Sequence, residues 1–173
     1  SWEDAVMISC QAGTAYAPLR RLGASGRHSI VVVGLGPVGL CVTMVGKAMG
    51  ARMIGVDPVT QRRDLALRLG IDSVFDPNDT YSAKAIADLT DGGADGLVET
   101  SGRPEAHAKI ADYLRVGGQA AIIGLGSSEP SLNPIALFGK QLTLFASNLY
   151  PEWMLPEIFS FVQRHNLPLS RII

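Results

Sequence analysis

The stretch SIVVVGLGPVGLCVTMVGKAMGARMIGVD, Ser29–Asp57, decides the fold. It opens on a β-branched run, Ile30–Val33, of the kind expected for a parallel strand buried on both faces. Four small or rigid residues follow, Gly34, Gly36, Pro37 and Gly39, and then a helix-patterned segment, Val38–Gly50, that stops at a glycine. Arg52–Val56 reads as a second strand, closed by Asp57. No charge occurs between Ser29 and Gly46, which is close to the length of a membrane span. The glycines in its middle and the change of period across them argue instead for a buried strand, a tight turn and a buried helix.

Gly34-Leu35-Gly36-Pro37-Val38-Gly39 matches G-x-G-x-x-G in the setting that gives the pattern meaning, with a strand before it, a helix after it and an acid closing the next strand. Gly34 suits the tight turn, Gly36 lets backbone approach a pyrophosphate, and Gly39 lets the helix pack close. A helix N-terminus offers free N–H groups and a positive dipole end to an anion. Pro37 preorganises the first turn but has no N–H, so the Val38 amide is the expected donor. Asp57 stands where a carboxylate accepts both adenosine-ribose hydroxyls, which favours NAD over NADP, because a 2′-phosphate would meet a fixed negative charge. Arg62 and Arg63 are the counter-signal. With Asp57 present, one of them is expected to flank the adenosine and the other to be solvated.

Outward from this unit, strand and helix patterns alternate. Ser1–Leu22 looks helical, and Thr60–Leu69 is a helix with Thr60 as candidate N-cap. Strands are expected at Ser73–Phe75, Gly96–Glu99, Gln119–Ile123 and Gln141–Ala146, and helices at Tyr81–Thr90, Pro104–Leu114 and Trp153–His165. The alternation implies right-handed crossovers and a doubly wound, mostly parallel six-stranded sheet, a Rossmann fold, with 1–173 forming one dinucleotide-binding domain.

Of the 173 residues, 47% are hydrophobic and 18% charged, with a net charge of -1, which leaves no electrostatic footprint for nucleic acid or an anionic membrane. Two cysteines, Cys10 and Cys41, cannot make a disulfide framework, and the N-terminus does not read as a signal peptide, so a cytoplasmic setting is expected.

Several segments, in order and spacing, resemble the medium-chain dehydrogenase/reductases, specifically the zinc-dependent alcohol dehydrogenase family. They are CQAGTAY at Cys10–Tyr16, IVVVGLGPVGL at Ile30–Leu40, Ile54–Asp57, Gly92–Asp95 leading into Val98–Gly102, Leu114–Gly118, Ile122–Gly124 and Lys140–Ser147. The resemblance implies that Ser101, Gly102 and Arg103 lie beside the adenosine half of the cofactor, and that Gly124 and Leu125 lie beside the nicotinamide. It also implies that Arg62 reaches the adenosine ribose and Thr14 packs near the nicotinamide ring. Cys10 matches a position that supplies a ligand of catalytic zinc. Leu142–Ala146 matches the edge strand through which dimeric relatives pair their sheets, which implies a homodimer. In such enzymes hydride passes between nicotinamide and an alcohol or carbonyl carbon polarised by zinc.

No histidine has metal-ligand spacing to Cys10. The expectation is therefore a cofactor domain of a larger enzyme, with the family's N-terminal catalytic domain, the remaining zinc ligands and the small alcohol, aldehyde or ketone substrate site outside this chain, and the fragment alone inactive. Helix Val38–Gly50, apolar nearly all round, is expected to leave an uncovered patch in the isolated domain. Other readings are a non-catalytic NAD-binding sensor or regulatory module, a zinc-independent quinone or enoyl reductase of the same family, and a methyltransferase-like adenosyl site.

Overall fold

The computed structural model describes residues 6–126, 129 and 131–172. Its sheet has six strands, all parallel, in the order β3-β2-β1-β4-β5-β6: β1 Ser29–Val33, β2 Arg52–Val56, β3 Ser73–Phe75, β4 Ala94–Glu99, β5 Leu114–Ile122 and β6 Thr143–Ala146. The order reverses between β1 and β4, and that switch point opens a crevice at the carboxyl ends of the strands. Register is set by pairs such as Val33↔Val56 and Val33↔Glu99, which bring the ends of β2, β1 and β4 level.

Side-chain alternation divides the core in two. Ile30 and Val32 pack with Met53, Val98 and Phe145 on one face. Val31 and Val33 pack with Ile54, Leu97 and Ile110 on the other. Burying each such side chain is worth about 1.5–3 kcal/mol relative to exposure, so both faces drive the sheet to sandwich itself between helices. The first face takes α1 (Gly13–Arg21), α2 (Pro37–Ala48), α3 (Thr60–Arg68) and α8 (Leu155–Arg164); the second takes α4 (Ser82–Leu89), α5 (Pro104–Ala108) and α6 (Ile110–Tyr113).

Several local expectations are corrected. The N-terminal helix is not uniform: Ile8–Ala12 is π-helical and passes into α1, while residues 1–5 lie outside the described residues. Thr60 is the first helical residue, not the cap; Val59 holds the cap position, and Thr60 Oγ1 accepts from Arg63 instead. The segment Pro104–Leu114 breaks at Lys109 into α5 and α6, and Leu114 already belongs to β5. That strand starts early because Ala94 pairs with Leu114 and Gly96 with Gln119, so Arg115–Gly118 bulges out. A short helix, α7 (Pro134–Gly139), was not anticipated; Asn133 caps it by accepting from the Ile135 and Ala136 amides. The apolar helix α2 leaves no patch. Its residues Gly39–Gly46 are buried, because α1 and the π-helical turn cover the side away from the sheet.

Candidate functional site

The glycine loop joins β1 to α2 at the switch point. Gly34 has φ +94°, and its amide donates to the Val56 carbonyl (2.8 Å). A Cβ there would lie 2.8 Å from Thr100 Oγ1, the hydroxyl that donates to the Gly34 carbonyl (2.7 Å). A Cβ on Gly39 would stand 1.9 Å from the same carbonyl oxygen. Packing within the chain therefore explains both residues. Gly36 is different: its backbone is extended, at φ -73° and ψ -174°, and a Cβ would meet no heavy atom within 4 Å. Nothing in the chain itself requires glycine there. Pro37 is the first helical residue, and the ladder begins with Leu40 donating to the Gly36 carbonyl (2.9 Å). The Val38 and Gly39 amides precede that ladder, facing the end of the helix where N–H groups lack intrahelical acceptors.

Asp57 lies at the floor of the crevice, 1% exposed. Its Oδ2 accepts from the Leu35 amide (2.7 Å) and its Oδ1 from the Val59 amide (2.8 Å). Each carboxylate oxygen carries two lone pairs, so neither backbone amide exhausts the acceptor capacity of its oxygen. Arg62 Nη1 stands 3.6 Å from Oδ2 on a half-exposed side chain. Arg63 turns away from the crevice, but it is not solvated as expected. Its side chain is 16% exposed, and the guanidinium donates to the Asp57 carbonyl (2.6 Å), Asp76 Oδ2 (3.1 Å) and Thr60 Oγ1 (3.1 Å).

At the end of β4 the buried Glu99 carboxylate builds the next turn by accepting from the Ser101 amide (2.8 Å), Ser101 Oγ (2.5 Å) and the Gly102 amide (3.1 Å). His107 Nε2 is 3.4 Å from Glu99 Oε2, without the alignment of a hydrogen bond. Gly102, at φ +64°, presses against the Leu125 and Gly126 backbone, where a Cβ would lie 2.5 Å from the Leu125 carbonyl carbon. Gly124 in turn abuts the Gly102 amide and Glu99 Oε2. The Leu125 side chain itself is fully exposed.

These elements enclose a cleft of about 750 Å³. Of the residues singled out from sequence, Gly34, Gly36, Asp57, Arg62, Ser101 and Arg103 line it. Gly102 and Gly124 sit behind the Ser101 turn, while Pro37, Val38 and Gly39 form the helix start beside it. Thr14, on α1, and Leu125 are not on the lining. Sequence reasoning missed Pro77, Asn78 and Lys109, which close the far wall; Lys109 Nζ donates to the Pro77 carbonyl. The available signal was the Asp76-Pro77-Asn78-Asp79 turn, which follows the carboxyl end of a parallel strand, where such folds place their ligands.

Cys10 is exposed on the π-helical turn. Among the described residues no group of three or more His, Cys, Asp or Glu is placed to hold a metal, so these residues do not form a zinc site by themselves. No helix among them is long and apolar enough to cross a membrane.

Residues 37–164 match the family model described as zinc-binding dehydrogenase. The chain belongs to that family. An Escherichia coli (strain K12) protein, described as an uncharacterized zinc-type alcohol dehydrogenase-like protein, YphC, is 43% identical over 122 residues, covering 67% of this chain and 35% of that protein. The L-threonine 3-dehydrogenase of Pyrococcus horikoshii is 30% identical over 185 aligned residues, covering 99% of this chain and 52% of that protein. Among solved structures, benzyl alcohol dehydrogenase from Acinetobacter calcoaceticus superposes with a TM-score of 0.85 at 27% identity, over 95% of this chain and 48% of that one. This zinc-binding dehydrogenase chain thus spans about half the length of such relatives.

Proposed function

We propose that this chain is the NAD(H)-binding part of an alcohol dehydrogenase-like oxidoreductase that moves hydride between a nicotinamide and a small alcohol or carbonyl compound. The observation that carries the reading is Gly36. Two glycines of the loop are required by internal packing, whereas the middle one has no internal partner, which supports a role in letting a ligand approach the backbone. The Val38 and Gly39 amides hold the pyrophosphate. Asp57 offers its remaining acceptor capacity to the adenosine-ribose hydroxyls, and its charge disfavours a 2′-phosphate. Arg62, Ser101, Gly102 and Arg103 border the adenosine half. Thr14, Gly124 and Leu125 face the nicotinamide half. When bound, the nicotinamide supplies the hydride chemistry. The chain's part is to bind and orient it.

Cys10 supplies one zinc ligand, and the others come from residues outside this chain, as does the substrate pocket. On this reading 1–173 is a single cofactor domain, inactive by itself and suited to a reducing cytoplasm by its free thiols Cys10 and Cys41. Support for a homodimer through Leu142–Ala146 is local. β6 is a sheet edge, and beside it α7 exposes Ile135 and Phe138. Calorimetric titration with NADH, NADPH and S-adenosylmethionine tests the cofactor assignment, with NADH expected to bind tightest. Binding of S-adenosylmethionine alone overturns it.

A further inference from the structure

We infer that Arg63 is a positioning residue for the adenosine end of the cleft, acting together with Asp76; this rests on the cofactor reading above. Adjacent arginines on α3 have divided roles. Arg62 lines the cleft, whereas neither Arg63 nor Asp76 does. Arg63 instead joins two walls from behind. One nitrogen, Nη1, donates both to the Asp57 carbonyl at the end of β2 (2.6 Å) and to Asp76 Oδ2 after β3 (3.1 Å). Nη2 adds Thr60 Oγ1 at the start of α3 (3.1 Å).

Asp76 passes the constraint onward. Its Oδ1 accepts from the Asn78 amide (2.9 Å), and its carbonyl accepts from the Asp79 amide (3.1 Å) and Ser82 Oγ (2.5 Å). The lining residues Pro77 and Asn78 are thereby tied to Asp57 by a charge-assisted fork set outside the cleft lining, in addition to the backbone bond from the Asp57 amide to the Phe75 carbonyl (3.2 Å). The pair is partly shielded from water, with side-chain exposures of 16% and 33%, so it is less screened than a fully exposed surface pair. A lysine in place of Arg63 supplies a point charge and cannot reproduce the planar fork across three acceptors.

The test is affinity of the chain for ADP-ribose and NADH, measured by calorimetry on wild type, Arg63→Ala and Asp76→Asn, each shown folded by circular dichroism. Amide exchange at Asn78 and Asp79 is followed in parallel. Both variants are expected to bind both ligands about tenfold more weakly, with faster exchange at the two amides. If Arg63→Ala is too unstable to assay, Asp76→Asn decides alone. Folded variants with wild-type affinity overturn the proposal, whatever their melting temperatures, and leave Arg63 a structural brace. Failure of the wild-type chain to bind either ligand is a separate result; it overturns the cofactor reading and this inference with it.

Discussion

The Leu35 amide donates to Asp57 Oδ2 at 2.7 Å, so the side chain expected to select the cofactor also ties the glycine loop to the end of β2. Leu35 is fully buried, and the second carboxylate oxygen holds the Val59 amide. Asp57→Ala therefore strands two backbone donors. The loss is expected to be about 1–3 kcal/mol for the buried Leu35 amide and less for the Val59 amide, which lies on an exposed residue and can turn to water, read as a lower midpoint in urea unfolding. The same variant is expected to relax the proposed preference for NADH over NADPH. An unchanged affinity ratio in folded protein means that Asp57 does not discriminate between the two.

Gly36→Ala and Gly39→Ala separate ligand approach from internal packing. A Cβ on Gly36 meets nothing, and its backbone is open to any residue, so Gly36→Ala is expected to unfold like wild type. Its NADH affinity is expected to fall by about tenfold or more, because in the proposed binding mode the methyl group would stand where the pyrophosphate approaches. A Cβ on Gly39 would lie 1.9 Å from the Gly34 carbonyl oxygen, so Gly39→Ala must push α2 off the loop and lose stability. Thermal unfolding of the pair checks the contrast. Equal stability losses would refute it.

The β-branched run Ile30–Val33, the glycine loop and Asp57 were legible in the sequence because local chemistry fixes them. A buried parallel strand needs that composition, and the turn tolerates little but glycine at 34 and 39. What separates Arg62 from Arg63 was not legible. Successive residues on a helix point about 100° apart, and only the placement of Asp76, after another strand, decides which arginine turns inward. The Asn133-Pro134 signal for α7 was present, an N-cap followed by proline at the first helical position, but six residues without an amphipathic stripe gave no periodicity to accompany it. Cover for α2 depended on α1 and the π-helical turn packing back over it, which no pattern within α2 encodes. The missed wall at Pro77 and Asn78 belongs to a turn whose function comes only from strand order.

Acid should loosen the sheet where strands begin. Burial pushes the Asp95 carboxyl upward, but the Ser29 amide at the start of β1, the Arg115 guanidinium and nearby His28 outweigh that and hold it below its ordinary value. Asp72 behaves alike: burial is offset by Lys47, the Met53 amide in β2 and Arg52. A carboxyl whose pKa is depressed in the folded state stabilises it above the unfolded-state value, near 3.9. That contribution disappears as pH falls through the depressed value. Stability of the wild type is thus expected to drop below about pH 4, and to drop less steeply in Asp95→Asn and Asp72→Asn. Urea midpoints between neutral and acid pH measure this. Parallel curves for wild type and both variants would show that neither carboxyl contributes.

The two thiols should differ sharply in reactivity. Cys41 lies on α2 with no exposed surface, and burial, with a smaller contribution from Cys10, pushes its thiol up to about 12. The thiolate is the reactive species, so at mildly alkaline pH Cys41 is both inaccessible and protonated. Cys10 is exposed on the π-helical turn. Iodoacetamide treatment of native protein, followed by peptide mass spectrometry, is expected to label Cys10 alone. Cys41 should react only at the rate at which the chain unfolds, and adding urea should bring it up to the rate of Cys10. Comparable labelling of both thiols in native protein would mean that α2 is not covered by α1 and the π-helical turn.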